Sequence, residues 1–182
     1  MNTVEPIRDT KKISEIKHYL LTKDRFRGRR NCFLFELGIN TGARVSDILS
    51  FKVKTVSGPV LEYTESKTNK TKRLFINKQL RSDIEKYIEG MDPEDYLFPS
   101  RKGGRITRIQ AYNILSDAGK AVGLEKIGTH TMRKTFGYHH YLKFKDVAIL
   151  QQIFNHSSQS VTLRYIGIAQ DEIDATLSDF YL

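Results

Sequence analysis

The stretch from Pro59 to Asn77, PVLEYTESKTNKTKRLFIN, restricts the possible folds most strongly, because it is the β-prone part of a mostly helical pattern. It contains two β-prone runs, Val60 to Thr64 and Arg73 to Ile76, around a polar turn. Such runs predict an antiparallel hairpin, although this turn is longer than the two-residue type. The sheet of this fold is therefore expected to be small.

Apolar residues recur at helical spacing through most of the remaining chain. Residues 9–22 and 107–123 begin with capping residues, and later helices are predicted to start at the caps Asp146 and Ser160. The predicted fold class is α+β, mainly α-helical, with one small antiparallel sheet. No internal repeat or second-domain signal occurs, so residues 1–182 are predicted to form a single domain.

The cysteine and histidine content argues against several classes of protein. Cys32 is the single cysteine, so an internal disulfide framework and a paired-cysteine zinc site are excluded. His130, His139, His140 and His156 form no known metal-binding pattern, and no metal or cofactor is expected. No apolar run has the length of a membrane span, and no signal peptide is recognisable, which predicts a cytoplasmic protein without a membrane partner.

The charge favours a polyanionic partner. Thirty Lys and Arg residues against twenty-one Asp and Glu residues give a net charge of +9. Many basic residues lie in three separate clusters, Lys23 to Arg30, Lys67 to Arg73 and Arg101 to Arg108. Such clusters suit an extended DNA-facing surface, although solvated loops often carry such runs too. The DNA-binding candidates from these clusters are Arg27, Arg29, Arg30, Lys70, Lys72, Arg73, Arg101, Lys102, Arg105 and Arg108.

Two segments hold cations where the backbone can position them. In NTGARVSD, Arg44 opens a helix after Gly42, and an arginine at a helix start can bind phosphate together with backbone N–H groups. In ESKTNKT, Lys67 lies in the hairpin turn, from which it can reach a DNA groove and protonate a departing oxygen. Each of these residues alone could equally be an ordinary surface cation.

Two further segments combine histidine with arginine or tyrosine. In GTHTMRKTF, His130 and Arg133 are three apart and share a helix face, so both can address one phosphate. In NHSSQSVTLRY, His156 and Tyr165 are nine apart across a polar turn. A helix–turn–helix path can bring them together, whereas a continuous helix would separate them by about 13 Å. A tyrosine in this position is, on its own, more often a packing residue.

Taken in order, TGAR, SKTNK, HTMR and NHSSQSVTLRY resemble the motifs of the tyrosine recombinase (phage integrase) family, over about Asn40 to Tyr165. The resemblance implies the DNA breaking-rejoining fold of the family's catalytic domain. It also implies site-specific recombination or integration of DNA through a 3′-phosphotyrosyl intermediate, without metal or ATP. The residues that it makes catalytic are Arg44, Lys67, His130, Arg133, His156 and Tyr165.

The family chemistry supplies a role for each of these residues. Arg44 and Arg133 would bind the non-bridging phosphate oxygens, and His156 would donate to the same phosphate. Tyr165 would attack the phosphorus, with His130 as the expected proton acceptor. Two roles complete the set: Lys67 would protonate the departing 5′-oxygen, and Asp47 would orient active-site groups.

Two features depart from the family pattern. Asn155 stands where the family usually has glycine before the histidine. The chain also starts only about forty residues before Arg44, so the N-terminal core-binding domain of typical members is expected to be absent. The chain could be a fragment, or a naturally short recombinase like those that invert fimbrial promoters. We favour the second reading, because MNTVEPIR resembles a native start.

The resemblance also implies partners. Double-stranded DNA is the expected substrate, with a homotetramer in the synapsed complex and a monomer as one state off DNA. In the tail, residues 171–182, the apolar face of Ile173, Leu177 and Phe180 could dock on a neighbouring subunit or fold back on its own core. Two other functions stay open: a catalytically silent DNA-binding regulator, and a type IB topoisomerase-like relaxing enzyme. The intact set of six residues favours the recombinase.

Overall fold

The computed structural model describes residues 4–178, 180 and 181, apart from the side chains of residues 170, 172, 173 and 176. None of the helices in this part of the chain is long and apolar enough to cross a membrane. The elements are, in chain order, α1 (Thr10–Lys23), α2 (Gly28–Thr41), α3 (Val45–Ile48), α4 (Val53–Val56), β1 (Val60–Thr64), β2 (Thr71–Phe75), α5 (Lys78–Ile88), α6 (Arg108–Ala121), α7 (Thr129–Phe144), α8 (Val147–Phe154), α9 (Gln159–Ile166) and α10 (Ile168–Ser178).

The larger hydrophobic core is built around α2. This helix packs against α1, α5 and α7, and the run Phe33, Leu34, Phe35 and Leu37 is buried with almost no exposed area. A helix that is apolar on most of its sides has to lie inside the protein rather than on its surface. The predicted mainly helical α+β fold is confirmed, and α2 runs through its centre towards the functional residues at its C-terminal end.

The hairpin is the small antiparallel sheet that the sequence predicts. Strands β1 and β2 pair from Val60 opposite Phe75 to Thr64 opposite Thr71. The turn between them is closed by two backbone hydrogen bonds, from Glu65 N to Lys70 O and from Asn69 N to Glu65 O. Asn69 adopts a left-handed conformation with φ of 52°. The hairpin therefore ends in a defined turn rather than a loose loop.

A second, smaller apolar cluster joins the last three helices. Leu150, Phe154, Ile166 and Ile168 are buried in it, and Tyr165 packs on its edge. Helix α7 approaches this cluster closely at Gly137, where an added Cβ would lie 2.7 Å from the Ile166 and Phe154 side chains. The glycine therefore lets α8 and α9 pack directly on α7.

The structure differs from the sequence prediction at two helices, α9 and α4. Helix α9 begins one residue after Ser158, which is extended and accepts a hydrogen bond from Val161 N, so the predicted cap at Ser160 is wrong. The short helix α4 was not predicted. In the tail, α10 ends at Ser178, and Leu177 and Phe180 are exposed. The side chain of Ile173, the third member of the proposed apolar face, lies outside the described residues.

Candidate active site

Arg44 owes its position to the sharp end of α2. Gly42 ends the helix in the left-handed region with φ of 62°, and an added Cβ there would lie 2.4 Å from the Phe136 ring. The chain then extends through Arg44, the residue before α3. The Arg44 side chain is 18% exposed and forms an ion pair with the fully buried Glu65. The Arg44 guanidinium in the TGAR segment is therefore restricted in the directions in which it can point.

The hairpin turn is held against the same segment. Asp47 in α3 is fully buried, and its Oδ1 accepts a hydrogen bond of 3.0 Å from Ser66 N. Ser66 directly precedes Lys67, whose side chain is exposed. Asp47 therefore contacts the backbone beside the lysine, as a carboxylate that orients this region would.

Arg133 connects three elements from within the protein. It is 4% exposed and lies on α7. Its guanidinium donates to Gly42 O at the end of α2 and, over 3.0 Å, to Phe154 O at the end of α8. The same group lies 4.3 Å from the centre of the Phe154 ring. These contacts fix the orientation of the guanidinium before any ligand binds.

Asn155 forms the C-cap of α8 in the left-handed conformation, with φ of 54°. Asparagine is one of the few residues besides glycine that adopt this conformation readily, which explains the departure from the usual glycine. The Asn155 side chain accepts a hydrogen bond of 3.3 Å from Lys70 Nζ in the hairpin turn. The cap thus turns the chain towards His156 and also contacts the hairpin.

His156 and Tyr165 meet across the turn between α8 and α9. Their rings lie 5.0 Å apart, centre to centre, in an edge-to-face arrangement. His156 Nδ1 lies 3.1 Å from Thr162 Oγ1, and the Thr162 hydroxyl donates to Ser158 O over 3.2 Å. Because a hydroxyl has one hydrogen, a Thr162 that donates to Ser158 O accepts from His156 Nδ1. In that arrangement the neutral His156 ring carries its hydrogen on Nδ1 and leaves Nε2 as an acceptor.

The ionisable groups respond to burial and to the two arginines. Burial raises the pKa of Tyr165, while the charges of Arg133 and Arg44 and a hydrogen bond with Arg133 oppose that rise. Burial lowers the pKa of both His130 and His156, and nearby arginine charges lower them further. Both imidazoles are accordingly neutral at pH 7, and the phenol is protonated.

Four of the predicted catalytic residues line one cavity of about 420 Å³, which we call the Arg44 cavity. Tyr165 lies beside this group, because its ring is 5.0 Å from the His156 ring and 5.6 Å from the Phe154 ring that Arg133 contacts. Residues that lie far apart in the sequence thus come together around two guanidinium groups. The lining of the cavity is Arg44, Val45, Ser46, Ser66, Lys67, Arg108, Thr129, His130 and Arg133.

Two of the three basic clusters meet in a second cleft, of about 590 Å³, between α1, α2 and α6. Its cations, which define the basic groove, are Lys23, Arg27, Arg30, Arg101 and Lys102.

A third depression, of about 550 Å³, lies beside both the basic groove and the Arg44 cavity. It shares Ser46 and Arg108 with the cavity and Ile106 with the groove, and it also contains Arg105. We call the basic residues of these three depressions the basic stripe.

Some of the predicted DNA-binding residues donate hydrogen bonds to backbone carbonyls within the protein. Lys72 Nζ donates to Gln152 O and Ile153 O, each over 3.1 Å, at the end of α8, and burial lowers its pKa. Arg29 donates to Lys86 O at the end of α5. Arg73 is exposed on β2, opposite Glu62. Lys72 and Arg29 therefore contact helix ends within the protein, and their part in DNA binding stays a prediction.

Sequence reasoning missed two residues of the site. Glu65 is a fully buried carboxylate paired with Arg44, and its signal was an acidic residue at the end of a strand, two before Lys67. Lys134 is 9% exposed and places Nζ 5.2 Å from the centre of the Tyr165 ring. Its signal was a second cation directly after Arg133. Within the described residues, no three His, Cys, Asp or Glu side chains cluster as metal ligands would.

Comparison with protein families and curated sequences gives consistent matches. The sequence profile of the phage integrase family matches residues 9–172. A probable integrase/recombinase, YoeC of Bacillus subtilis (strain 168), is 50% identical over 182 residues, which is 99% of this chain and 98% of YoeC. The tyrosine recombinase XerC of Staphylococcus epidermidis is 29% identical over 82% of this chain and 53% of its own length. The chain thus spans nearly all of YoeC but about half of XerC.

Solved structures with the same fold come from similar proteins. The XerA recombinase superposes with a TM-score of 0.72 at 20% identity, covering 97% of this chain and 65% of XerA. The XerH site-specific recombinase, solved bound to its difH substrate in a pre-cleavage complex, gives 0.71 at 18% identity, covering 98% and 55%. At these identities the likeness shows the fold.

Proposed function

Because the chain belongs to the phage integrase family of site-specific recombinases, we propose that it cleaves and rejoins DNA with Tyr165 as the nucleophile. The observation that carries this proposal is the convergence of Arg44, Lys67, His130 and Arg133 on one cavity, with Tyr165 packed beside it against His156. A regulator that only bound DNA would have no need for this arrangement beside a tyrosine.

The two guanidinium groups suit a phosphodiester in the transition state. Attack adds negative charge to the non-bridging oxygens, and fixed donors stabilise that charge without reorganising. Arg133 is already fixed by two backbone carbonyls, and Arg44 by Glu65. Each guanidinium carries five N–H donors, so those contacts leave donors for phosphate.

The proton transfers balance with the residues at hand. Tyr165 Oη forms the new bond to phosphorus as the bond to the 5′-oxygen breaks, which leaves a 3′-phosphotyrosyl link. His130, neutral at pH 7 because its pKa is lowered, accepts the phenolic proton. Lys67, exposed at the cavity, gives a proton to the departing oxygen. Religation reverses these steps, so neither ATP nor a metal ion enters the proposed scheme.

The proposed role of His156 as a phosphate donor depends on its protonation. Its neutral ring holds a hydrogen on Nδ1 for Thr162, so Nε2 can donate to phosphate only after it gains a proton. A bound phosphate favours that protonation, because its negative charge opposes the effect of the nearby arginines. We therefore propose that His156 becomes a donor once DNA is in place.

The proposed DNA path follows the stripe from the Arg44 cavity to the basic groove. Helix α2 connects the two regions and is about 20 Å long, equal to roughly six base pairs of B-DNA. Phosphates along that length can meet Arg108 and Arg105 before they reach Arg101 and Lys102. The stripe thus supplies binding that does not depend on base sequence.

The proposed assembly contains several copies of the chain on DNA. Residues 1–182 would form one catalytic domain, with double-stranded DNA and other copies of the chain as partners. A homotetramer would form on DNA, and the exposed side chains of Leu177 and Phe180 are available for contact with a neighbour. The proposed location is the cytoplasm, where a bacterial or mobile-element recombinase meets its DNA.

A suicide substrate tests the proposal directly. We expect a nicked DNA duplex carrying the recombination site to trap a covalent protein–DNA adduct on a denaturing gel, and Tyr165→Phe to abolish it. Tyr63→Phe is the matched comparison, because Tyr63 also lies near Arg44 and Arg133 but has its pKa raised well above the usual range by burial. The Tyr63→Phe protein should still form the adduct.

Three other results of these experiments would each lead to a different conclusion. An adduct that persists in Tyr165→Phe and disappears in Tyr63→Phe would move the nucleophile to Tyr63. An adduct absent from the unaltered protein, with DNA binding intact, would favour the silent regulator. Sustained relaxation of supercoiled plasmid without a recombination site would favour the topoisomerase-like activity.

A further inference from the structure

Glu65 is a buried and charged residue directly after β1, although a residue at this place in a hairpin has no need to be buried or charged. It follows β1 directly and is fully buried. One carboxylate oxygen pairs with Arg44 Nη1, and the other accepts a hydrogen bond of 2.6 Å from Thr68 Oγ1. The backbone N–H and carbonyl of Glu65 also close the turn that carries Lys67. One residue thus contacts Arg44 and shapes the Lys67 turn.

A buried carboxylate is stable only with compensating partners. An unpaired one costs several kcal/mol, so the fold tolerates Glu65 only while Arg44 and Thr68 contact it. Burial alone would raise the pKa of Glu65, but Thr68, Arg44 and Lys72 outweigh burial, and its pKa lies below the ordinary value. The group is therefore an anion at neutral pH.

The contact leaves Arg44 able to bind a ligand. Arg44 Nη1 and Glu65 Oε1 are both buried and meet as an ion pair, without a well-aligned hydrogen bond to any described residue. Arg44 still lines the cavity, and a guanidinium has five N–H donors. The ion pair limits where the guanidinium can point while leaving donors for phosphate.

Asp47 and Glu65 hold the same turn by different means. Asp47 contacts the backbone N–H of Ser66, whereas Glu65 contacts the arginine side chain itself. Loss of the Asp47 contact would loosen the turn without changing the charge beside Arg44. Loss of the Glu65 charge would free Arg44 while the turn keeps its backbone hydrogen bonds.

On this basis, and resting on the function proposed above, we propose that Glu65 is a positioning residue for strand cleavage. It aims the Arg44 guanidinium at the scissile phosphate and couples that orientation to the turn that presents Lys67. Glu65 does not touch DNA in this scheme and acts through Arg44. Its effect should therefore fall on the cleavage step rather than on DNA binding.

The test is Glu65→Gln, which keeps the size and polarity of the side chain and removes the charge. Glu62→Gln is the matched control, because Glu62 is exposed on β1, the strand that Glu65 follows, and loses the same charge. Adduct formation on the nicked substrate is measured in a single turnover, with DNA affinity measured by fluorescence anisotropy. A misaimed catalytic group costs about 10- to 100-fold in rate. We expect Glu65→Gln to lose that much while its Kd stays within about threefold, and Glu62→Gln to match the unaltered protein.

A double-mutant cycle with Arg44→Lys separates positioning from a general structural defect. If Glu65 acts through Arg44, Glu65→Gln should add little to the loss already caused by Arg44→Lys, followed over hours to record slow rates. Thermal unfolding checks that each variant is folded. If Glu65→Gln does not fold, Thr68→Val removes the other contact to the carboxylate and enters the same cycle, with a smaller loss expected.

Additive losses, or equal rates for Glu65→Gln and Glu62→Gln, would overturn the inference and leave the proposed function intact. A parallel fall in affinity and rate would also overturn it, because Glu65 would then support DNA binding as a whole. If the unaltered protein formed no adduct, the proposed function would fail and the inference with it.

Discussion

The Arg44 cavity and the basic groove both present cations, but the protein holds them in different ways. In the cavity, Arg133 is 4% exposed and donates to two backbone carbonyls, and Arg44 pairs with a buried carboxylate. In the groove, Arg101 and Lys102 are exposed on a loop, and Arg27 forms an ion pair with Asp24 three residues away. Fixed cations suit a transition state, whereas mobile ones suit attraction of a charged backbone.

The positive charge of the two regions does not by itself distinguish fixed cations from mobile ones. Exposed cations are hydrated and screened by salt, so each contributes little to folding. A buried guanidinium is costly to desolvate, and its carbonyl partners are left without a donor when it is removed. The two regions should therefore respond differently to substitution, and four experiments test this contrast.

Arg133→Ala should have the largest effect. It removes a fixed phosphate donor and leaves Gly42 O and Phe154 O without their buried partner. We expect adduct formation to fall by about 10²- to 10³-fold and the free energy of unfolding to fall by about 2–4 kcal/mol in urea titration. Arg27→Ala in the groove should change that free energy by less than about 0.5 kcal/mol. Equal destabilisation by the two variants would remove the distinction between the regions.

The pH dependence of cleavage tests the cavity next. His130 has a pKa below the ordinary 6.5, so its neutral, proton-accepting form prevails at pH 7 and is lost as the pH falls through the lowered pKa. The single-turnover rate should be flat near pH 7 and fall about tenfold per pH unit on the acidic side. In His130→Asn the rate should be lower and this acidic decline absent. An unchanged acidic decline in that variant would assign the titration to another group.

The double variant Arg101→Ala/Lys102→Ala tests the groove. We expect DNA affinity to fall severalfold, and the slope of log K against log salt to decrease by about two, one for each lost phosphate contact. The cleavage rate at saturating DNA should not change. An unaltered salt slope would mean that the DNA path avoids the groove.

Asn155→Ala should have the smallest effect of the four. The residue is left-handed at the end of α8, and alanine is disfavoured there by about 1 kcal/mol. Asn155→Gly should stay within about 0.5 kcal/mol of the unaltered protein in urea unfolding. A stable alanine variant would indicate that the turn before His156 tolerates another conformation.

The contrast between the regions marks the limit of what could be predicted from the sequence. Helical periodicity and the β-prone runs predicted the elements, because each reports which side of a local segment is buried. The roles of Lys72 and Glu65 were hidden, since their partners lie on α8 and at the start of α3. The cap at Ser158 was missed in favour of Ser160 because both serines precede the same helix, and only backbone conformation distinguishes them.

Local sequence patterns were enough to predict the mainly helical fold with its small hairpin, the family, and the chemical types of the candidate catalytic residues. Which cations are fixed and which are free depends on tertiary contacts. Arg133 donates to carbonyls 91 and 21 residues away, and two basic clusters that are far apart in the sequence line one groove. Such contacts depend on how α2, α7 and α8 pack together, and the spacing of residues along the sequence does not reveal that packing.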